Sequence, residues 1–525
     1  MPPTFHVENF GCRAARADGE AIAALLRAAA AAESQPSEAD VVIVNTCSVT
    51  AEADREARAY IRRANRLNPA ARIIATGCYA QRAAEELAVL PGVAAVVGNS
   101  HKALAPAIAL HLGLGSMENL RSANLQPVSE HDSGNPRSRS RASNADERET
   151  APIPVGPSPL VTVSDLLIAS NRTLILADDT FAHSFLEEAP IAPGAQTRPN
   201  LKIQEGCSNR CSFCVIPQTR GSSRSLSAAS VLAHVRSFVA AGGNELVLSG
   251  INLGRWGRDL DPAQSPIRTF AALVRTIVEQ TDLPRLRLSS IEPMDWDAAL
   301  IGVMAECGGT RLARHAHLPL QSGSDSVLRR MYRRYRPWHY ADKVSELFGA
   351  AGPSLTLGAD VMVGFPGETD REFQETCDFI RALPFGYLHL FPFSPRPGTR
   401  AWTLHADSPV PAAIVNERMS VLRSLAAART RAHRRQFIGT ELEAITLHST
   451  AALARANRTS ALTENFLPVE LAGTLSANQL VRLRVTGLGA DNALLVMPVR
   501  SGACGSDSQL EALPVSRKPA LETTF

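Results

Sequence analysis

Residues 201–217 read LKIQEGCSNRCSFCVIP, a short strand pattern followed at once by three cysteines. Cys207, Cys211 and Cys214 stand in a C-x3-C-x2-C arrangement within one loop. Three thiolates in one loop bind an iron–sulfur cubane and leave its fourth iron open to a small chelating ligand. A structural zinc site is the alternative, but such sites are closed by four ligands, and no fourth cysteine or histidine follows in this loop. The stretch therefore predicts an iron–sulfur cluster with an open coordination position.

The sequence after this loop continues as short apolar strands separated by amphipathic helices. Strand patterns fall at six places, namely 201–205, 245–249, 285–289, 315–320, 356–363 and 388–393. Helical periodicity separates them, for example at 228–241, 267–281 and 370–382. Six βα units over about 195 residues predict a partial (β/α)6 barrel. The cluster loop follows the first strand, at the end of the barrel where such folds place their active sites.

The first hundred residues show a second alternation of strands and helices, again with three cysteines. Strands are predicted at 5–9, 41–45 and 73–76, and helices at 18–32, 51–65 and 80–90, so a parallel sheet is expected. Cys12, Cys47 and Cys78 each follow a predicted strand closely, and Gly11 and Gly77 permit a tight turn before two of them. Because the carboxyl ends of parallel strands share one edge, the three thiols are expected to converge. The alternative, small buried apolar residues, fits one such cysteine better than three.

The remaining segments differ in composition. Residues 129–150 combine serine, proline and mixed charges with almost nothing to bury, so a disordered insert is expected, and 160–177 is apolar enough to regain some order. Short strands after an arginine-rich helix predict a small all-β barrel, and they fall at 441–447, 468–472, 480–485 and 493–499. The expected domains are 1–115, 116–198, 199–436 and 437–500, followed by a tail at 501–525.

Bulk composition restricts the class of protein. A chain of 525 residues is too long for one ordinary core, and 45% hydrophobic with 20% charged residues is typical of globular domains. The formal net charge of +3 neither requires nor excludes nucleic acid. We find no apolar stretch of membrane-spanning length and no secretory pattern at the start, so a cytoplasmic chain without a membrane partner is expected. Disulfides are rare in the cytoplasm, so clustered cysteines in such a chain indicate metal binding or catalysis.

The cluster loop, with Phe213 just before its last cysteine, resembles the radical S-adenosylmethionine (SAM) superfamily. When Cys12, Cys47 and Cys78 are considered as well, the chain resembles the methylthiotransferase branch over residues 5–102 and 201–499. The segments RLRLSSIEP, HAHLPLQSGSD and HLFPFSPRPGT are most similar to the bacterial enzymes that act on threonylcarbamoyladenosine beside the tRNA anticodon. The resemblance implies a flavodoxin-like N-terminal domain, a radical SAM barrel and a C-terminal TRAM-like barrel that binds RNA.

The resemblance also implies cofactors and roles. Two [4Fe–4S] clusters are expected, an auxiliary one on Cys12, Cys47 and Cys78 and a catalytic one on Cys207, Cys211 and Cys214. One SAM molecule would donate a methyl group and another would yield the radical that activates carbon 2 of the adenine. The expected SAM contacts are Phe213, Ser249, Gly250, Asn252, Glu292 and Gln321. Ordinary turn chemistry is the alternative for each of these contacts taken singly.

Three basic segments are candidates for tRNA contact. They supply Arg220 and Arg224 beside the cluster loop, Arg333 and Arg334 in RRMYRRYR, and Arg434 and Arg435 before the β-barrel. A solvated charged face is the alternative for each. An electron donor such as flavodoxin or ferredoxin and a monomeric state are further expectations. Three alternatives stay open: methylthiolation of isopentenyladenosine, a radical SAM enzyme for a protein or small molecule, and a non-catalytic iron–sulfur or zinc protein that binds RNA.

Overall fold

The computed structural model describes the chain at residues 2–114, 173–181, 189, 191, 197–489 and 492–499. The predicted insert at 116–198 lies mostly outside these residues, and the predicted tail at 501–525 lies wholly outside them. Within the described ranges, no helix combines the length and apolar character needed to cross a bilayer.

The N-terminal unit is a parallel sheet with the strand order β2-β1-β3-β4-β5-β6. Its strands are β1 Thr4–Asn9, β2 Ala32–Glu33, β3 Val41–Thr46, β4 Arg72–Gly77, β5 Val93–Gly98 and β6 Leu174–Leu176. The run VVIV at the start of β3 is buried on both faces, as expected for a central parallel strand. The strand β6 comes from the segment expected to regain order and pairs in parallel with β5.

Helices cover both faces of this sheet. They are α1 Arg13–Ala28, α2 Ala51–Leu67, α3 Cys78–Arg82, α4 Ala84–Ala88 and α5 Ala105–Leu114. Val42 and Val44 of β3 pack in the core beneath α2, whereas Val41 and Ile43 pack in the core beneath α1 and α5. The helix predicted at 80–90 is two short helices, because Ala83 takes φ −144° and ψ 57° and interrupts the helical backbone.

The central unit is an array of parallel strands that follow one another in sequence order. They are β7 Asn200–Glu205, β9 Glu245–Gly250, β10 Arg285–Leu288, β11 His315–His317, β12 Thr356–Val363 and β13 Phe385–Pro392, with the short β8 Arg224–Ser225 antiparallel to β7. Backbone bonds from Leu286 N to Arg311 O (2.8 Å) and from Ile291 N to His317 O (3.0 Å) connect the β7–β10 and β11–β13 sheets. The predicted partial (β/α)6 barrel is confirmed.

Helices between these strands cover the outside of the barrel. They are α6 Ile216–Arg220, α7 Ala228–Ala240, α8 Phe270–Gln280, α9 Ala298–Cys307, α10 Asp325–Arg330, α11 Pro337–Ala351, α12 Asp370–Ala382, α13 Arg400–Asp407 and α14 Ala412–Arg435. The strand β12 shows the alternation that this arrangement requires. Leu357, Ala359 and Val361 lie fully buried in the apolar core, whereas Asp360 between them contacts polar side chains of the neighbouring strands.

The C-terminal unit is a closed barrel with the strand order β14-β15-β16-β18-β17. Its strands are β14 Glu441–Thr446, β15 Arg458–Thr463, β16 Pro468–Ala472, β17 Leu480–Leu488 and β18 Leu494–Pro498, with the helix α15 Ala451–Arg455 after β14. Buried and exposed residues alternate along β16 and β17, so one side of each strand fills the barrel interior. The strand β15 is not predicted from the sequence, because RTSALT has few β-branched or aromatic residues.

Polar contacts dock this small barrel onto the central unit. Arg314 donates to Oε1 of the buried Glu464 from Nε at 2.9 Å and from Nη2 at 2.5 Å. Asn244 Nδ2 donates to Asn478 O at 2.7 Å. Because Glu464 is nearly inaccessible to water, its carboxylate depends on these partners for stabilisation.

We predict that Glu464→Gln loosens the docking of the C-terminal barrel by about 1–3 kcal/mol, because it removes a charged acceptor from a buried pair. Hydrogen exchange of the β15 amides, followed by mass spectrometry, should become faster. Glu470→Gln is the matched control, since Glu470 pairs with Arg458 at a half-exposed surface site. Equal exchange rates in the two variants would contradict this assignment.

Candidate active site with two cysteine sets

The first cysteine set lies in the loop between β7 and α6. Cys207, Cys211 and Cys214 are free thiols of intermediate exposure. They line a cavity of about 480 Å³, together with residues that include Tyr332 and Gly398. Three thiols that open into one cavity, with no fourth protein ligand lining it, are a donor set that fits a cubane with one open iron.

Hydrogen-bond donors surround the sulfur atoms of this set. Cys207 Sγ accepts from Asn209 N at 3.4 Å and from Asn252 Nδ2 at 3.5 Å. Cys211 Sγ accepts from Arg333 Nη1 at 3.3 Å. Donors of this kind stabilise negative charge on sulfur and tune the reduction potential of a bound cluster.

The expected SAM contacts lie around this loop and the neighbouring strand ends. Asn252 N donates to Gln204 Oε1 at 2.7 Å, and the buried Oδ1 of Asn252 has no partner among the described residues. Gln321 takes a left-handed backbone, and its buried Oε1 is likewise without a described partner. Glu292 is ion-paired with Arg333. The remaining expected contacts are the buried Ser249, Gly250 beside Gln204, and Phe213 against the barrel core.

The second cysteine set lies at the carboxyl edge of the N-terminal sheet. Cys12 is exposed where α1 begins, and Cys47 and Cys78 are buried after β3 and β4. Gly11 and Gly77 both have φ +98°, a conformation that favours glycine. A Cβ on Gly11 would lie 2.3 Å from Cys47 Sγ, so only glycine lets the two loops approach. Burial, Cys12 and Cys78 together raise the pKa of the Cys47 thiol to about 12, as expected for converging thiols.

A buried cluster of charges lies directly beside Cys78. Arg220 Nε donates to Cys78 Sγ at 3.2 Å, and Asn99 Nδ2 donates to the same sulfur at 3.3 Å. Arg220 also belongs to a group of five nearly inaccessible charged side chains: Asp18, Lys102, Lys202, Glu205 and Arg220. Lys102 Nζ lies 2.6 Å from Asp18 Oδ2, and Arg220 Nη1 lies 2.5 Å from Glu205 Oε1. Lys202 pairs with both carboxylates.

The charges in this cluster do not balance by themselves. Three cations face two carboxylates, and uncompensated charge is costly in a buried site. Burial lowers the pKa of Lys102 to about 8, although Asp18 and Glu205 oppose that shift. An anionic group bound at Cys78, whose sulfur Arg220 contacts, would offset the third cation. The site is therefore suited to a metal cluster with negatively charged sulfur ligands.

The two cysteine sets are joined through the chain that follows Cys214. Arg220, six residues further on, contacts Cys78. Thr219 O accepts from Asn99 Nδ2 at 2.9 Å. On the other side, Arg396 in the SPRPGT segment donates to Asp54 of α2 at 2.6 Å. The loop of the first set is thus fixed against the sheet edge that carries the second.

Two of the residues expected to contact RNA are placed elsewhere by the fold. Arg220 is fully inaccessible, and the guanidinium of Arg333 is buried between Glu292 and Cys211. The prediction of phosphate contacts is therefore wrong for these two arginines, because the burial of their side chains prevents access by RNA. Arg224 is half-buried and lies over Phe181, whereas Arg434 donates to Asn492 O. Arg334 and Arg435 are exposed.

Several buried partners were not predicted from the sequence. Asn99 follows β5 as Cys78 follows β4, so its position at the end of a strand carried a signal. Asp18 and Lys102 had no comparable signal, since an acidic residue in a helix and a lysine in a turn usually face water.

A further polar group lies on the barrel strands β11, β12 and β13. Asp360 Oδ1 lies 3.4 Å from His317 Nε2 and 3.3 Å from His389 Nδ1. Tyr387 packs beside His389, with ring centroids 5.1 Å apart. The side chain of His389 is 57% exposed, so this polar face is open to solvent.

We predict an unusual pH dependence for alkylation of Cys214 in metal-free protein. Burial and the neighbouring cysteines raise its pKa to about 12, so the reactive thiolate fraction grows as pH rises. The iodoacetamide rate, measured by mass spectrometry, should rise about tenfold per pH unit from about pH 7 to about pH 10 without levelling. In urea-unfolded chain the same cysteine should level off above about pH 9. A plateau in the folded protein would contradict the burial of this thiol.

Comparisons with known proteins identify both cysteine-bearing units. A model described as "Uncharacterized protein family UPF0004" matches residues 4–98, and a model described as "Radical SAM superfamily" matches residues 201–380. Threonylcarbamoyladenosine tRNA methylthiotransferase MtaB of Bacillus subtilis (strain 168) is 32% identical, covering 90% of each chain. The protein of the same name from Treponema pallidum (strain Nichols) is 33% identical, covering 92% of this chain and 98% of its own.

A relative that is named for a different nucleoside shows a similar sequence identity to this chain. The tRNA-2-methylthio-N(6)-dimethylallyladenosine synthase of Parafrankia sp. (strain EAN1pec) is 31% identical, covering 94% of this chain and 85% of its own. All three relatives cover at least 90% of this chain, and two of them share the same methylthiotransferase name. The chain is a member of the radical SAM methylthiotransferase family.

Proposed function

We propose that this enzyme adds a methylthio group to carbon 2 of N6-threonylcarbamoyladenosine beside the anticodon of tRNA. The observation that carries the proposal is the contact between two separate three-cysteine sets, in which Arg220 from one loop touches Cys78 of the other. The relatives named for this reaction support the choice of substrate.

The family supplies a [4Fe–4S] cluster and SAM as cofactors. We assign Cys207, Cys211 and Cys214 to that cluster, because their sulfurs line one cavity. We assign Cys12, Cys47 and Cys78 to a second [4Fe–4S] cluster. The excess positive charge beside Cys78 supports this second assignment, since the thiolate and sulfide ligands of a cluster are negatively charged.

The residues around the sulfurs have roles that follow from their contacts. Cys207, Cys211 and Cys214 would hold the cluster that, with SAM, would supply radical chemistry, and Cys12, Cys47 and Cys78 would hold the cluster that would supply sulfur for the methylthio group. Asn252 and Arg333 donate hydrogen bonds to Cys207 and Cys211 and so stabilise negative charge on these sulfur atoms. The buried Oδ1 of Asn252 and Oε1 of Gln321, which have no described partner, are available acceptors for SAM donor groups.

The polar barrel face favours threonylcarbamoyladenosine over the alternative substrate. A dimethylallyl group is apolar and would displace water from the polar face that His317, Asp360 and Tyr387 form, without replacing the hydrogen bonds of that water. A threonylcarbamoyl group carries a urea, a hydroxyl and a carboxylate that can pair with them. Methylthiolation of dimethylallyladenosine stays the second candidate, because a relative named for it is equally similar.

The remaining partners are part of the same proposal. We assign RNA binding to the C-terminal barrel at 437–500 and to the exposed Arg334 and Arg435. One-electron reduction of the first cluster requires a donor such as flavodoxin or ferredoxin. We further propose that the enzyme acts as a cytoplasmic monomer.

We predict that Cys211→Ala and Cys47→Ala separate the two chemical steps. Reconstituted anaerobically, the unsubstituted chain should hold about eight irons, two cubanes of four, and each variant about half. Cys211→Ala should form no 5′-deoxyadenosine. Cys47→Ala should form it without methylthiolated nucleoside in tRNA digests, as judged by mass spectrometry. Cys307→Ala is the matched control, since Cys307 belongs to neither set, and it should behave as the unsubstituted chain.

Three other outcomes would change the proposal. Methylthiolation of isopentenyladenosine alone would keep the chemistry and replace the substrate. Formation of 5′-deoxyadenosine with unmodified tRNA would indicate a protein or small-molecule substrate. If the unsubstituted chain holds intact clusters and still does not cleave SAM, the proposal that it is a radical SAM enzyme is excluded.

A further inference from the structure

The guanidinium of Arg13 makes no ion pair and no hydrogen bond with another described residue. Arg13 directly follows Cys12 and is the first residue of α1. Among the described residues, its guanidinium has one short-range partner, the ring of Phe466, at 5.8 Å from the ring centroid. The residue is half-buried, so a ligand can reach it from solvent. A half-buried guanidinium that no described acceptor satisfies is suited to binding an anionic ligand.

The surroundings of Arg13 hold more positive than negative charge. Arg13 lies within electrostatic range of Arg198 and Arg287, and Arg285 shares a carboxylate partner with those two. Glu245 accepts from three of them and Glu443 from Arg285. Arg287 Nη1 and Arg285 Nε remain buried without a described partner even so. The charge balance beside Arg13 therefore favours one more anion.

Asp360 does not neutralise Arg13. Its carboxylate is held by His317 and His389, which lower its pKa although burial acts to raise it. It makes no ion pair with Arg13 within the described part of the chain, and it acts on Arg13 only through space. The guanidinium is thus left free beside a polar wall.

That wall connects Arg13 to the solvent-open polar face. The ring of Phe466 contacts the guanidinium of Arg13 on one hand and the ring of Tyr387 on the other, with a centroid distance of 5.4 Å between the two rings. Tyr387 in turn packs on His389, which is half-exposed. Consecutive ring contacts thus connect the solvent-open polar face to the guanidinium next to Cys12.

We propose that Arg13 binds the carboxylate of the threonylcarbamoyl group and thereby selects this nucleoside over adenosines with a neutral N6 substituent. The inference rests on the proposed function and identifies a residue that recognises the substrate. Its place beside Cys12 puts the recognised group next to the second cysteine set. A guanidinium paired to a carboxylate in a partly dehydrated site contributes about 10- to 100-fold in affinity.

The competing role for Arg13 is electrostatic support of sulfur at Cys12. Both roles predict lower activity when Arg13 is replaced, so activity alone does not distinguish them. They differ in what the substrate must carry: carboxylate binding predicts a loss of selectivity, whereas support of sulfur predicts an equal loss with every RNA and a changed cluster.

The test uses the full chain with both clusters reconstituted and two synthetic anticodon stem–loop RNAs. One carries threonylcarbamoyladenosine and the other carries its threonine carboxamide, which lacks only the negative charge. For the unsubstituted enzyme, kcat/KM should be about 10- to 100-fold higher with the acid. In Arg13→Gln this ratio should fall close to one, and in Arg13→Lys it should be partly retained. Arg16→Gln is the matched control, since Arg16 on the same helix is exposed and pairs with Glu20.

Each outcome has one meaning. A ratio near one in the unsubstituted enzyme, or an unchanged ratio in Arg13→Gln, would overturn the carboxylate assignment. Equal losses with both RNAs, with altered iron content or electron paramagnetic resonance, would assign Arg13 to Cys12 instead. An unsubstituted enzyme that methylthiolates neither RNA but does act on another tRNA nucleoside would overturn the proposed function itself, apart from any role of Arg13.

Discussion

Five charged side chains buried between the N-terminal sheet and the barrel constrain the whole molecule. Asp18 and Lys102 come from the first unit, and Lys202, Glu205 and Arg220 from the second. Asp18 and Lys102 pair with each other within the first unit, but the second unit contributes two cations and only one carboxylate. Lys202 and Arg220 both also pair with Asp18, so the contact between the units balances the buried charge of the second. The two units therefore fold as one body. Their contact determines where the two cysteine sets lie.

This contact gives the sulfur atoms their environment. Arg220 extends from the loop that carries Cys214 to Cys78, and Arg333 extends from the loop after α10 to Cys211. In both cases a guanidinium faces a cysteine sulfur from one side and a carboxylate from the other. Such an arrangement holds the arginine in place before any cluster binds, so the site is preorganised by ion pairs on the protein side.

The sequence predicts the parts of the site that depend on strand ends. The three cysteines after β1, β3 and β4 follow from the parallel order of the sheet, and the loop of Cys207 follows from its spacing. The directions of the arginine side chains cannot be predicted from the sequence. Arg333 and Arg334 are neighbours in one basic run, yet the first is buried against a sulfur and the second is exposed. The basic run does not distinguish the two arginines, because the burial of Arg333 depends on contacts with Glu292 and Cys211, which are distant in sequence.

The contact between Arg220 and Cys78 also has a consequence for biosynthesis. The ribosome releases the N-terminal sheet first, and its cysteines emerge well before Arg220 is made. Until then Asp18 and Lys102 lack their three barrel partners, and Cys78 lacks the guanidinium that donates to its sulfur. The surroundings of Cys78 are therefore complete only after the barrel has packed against the N-terminal sheet.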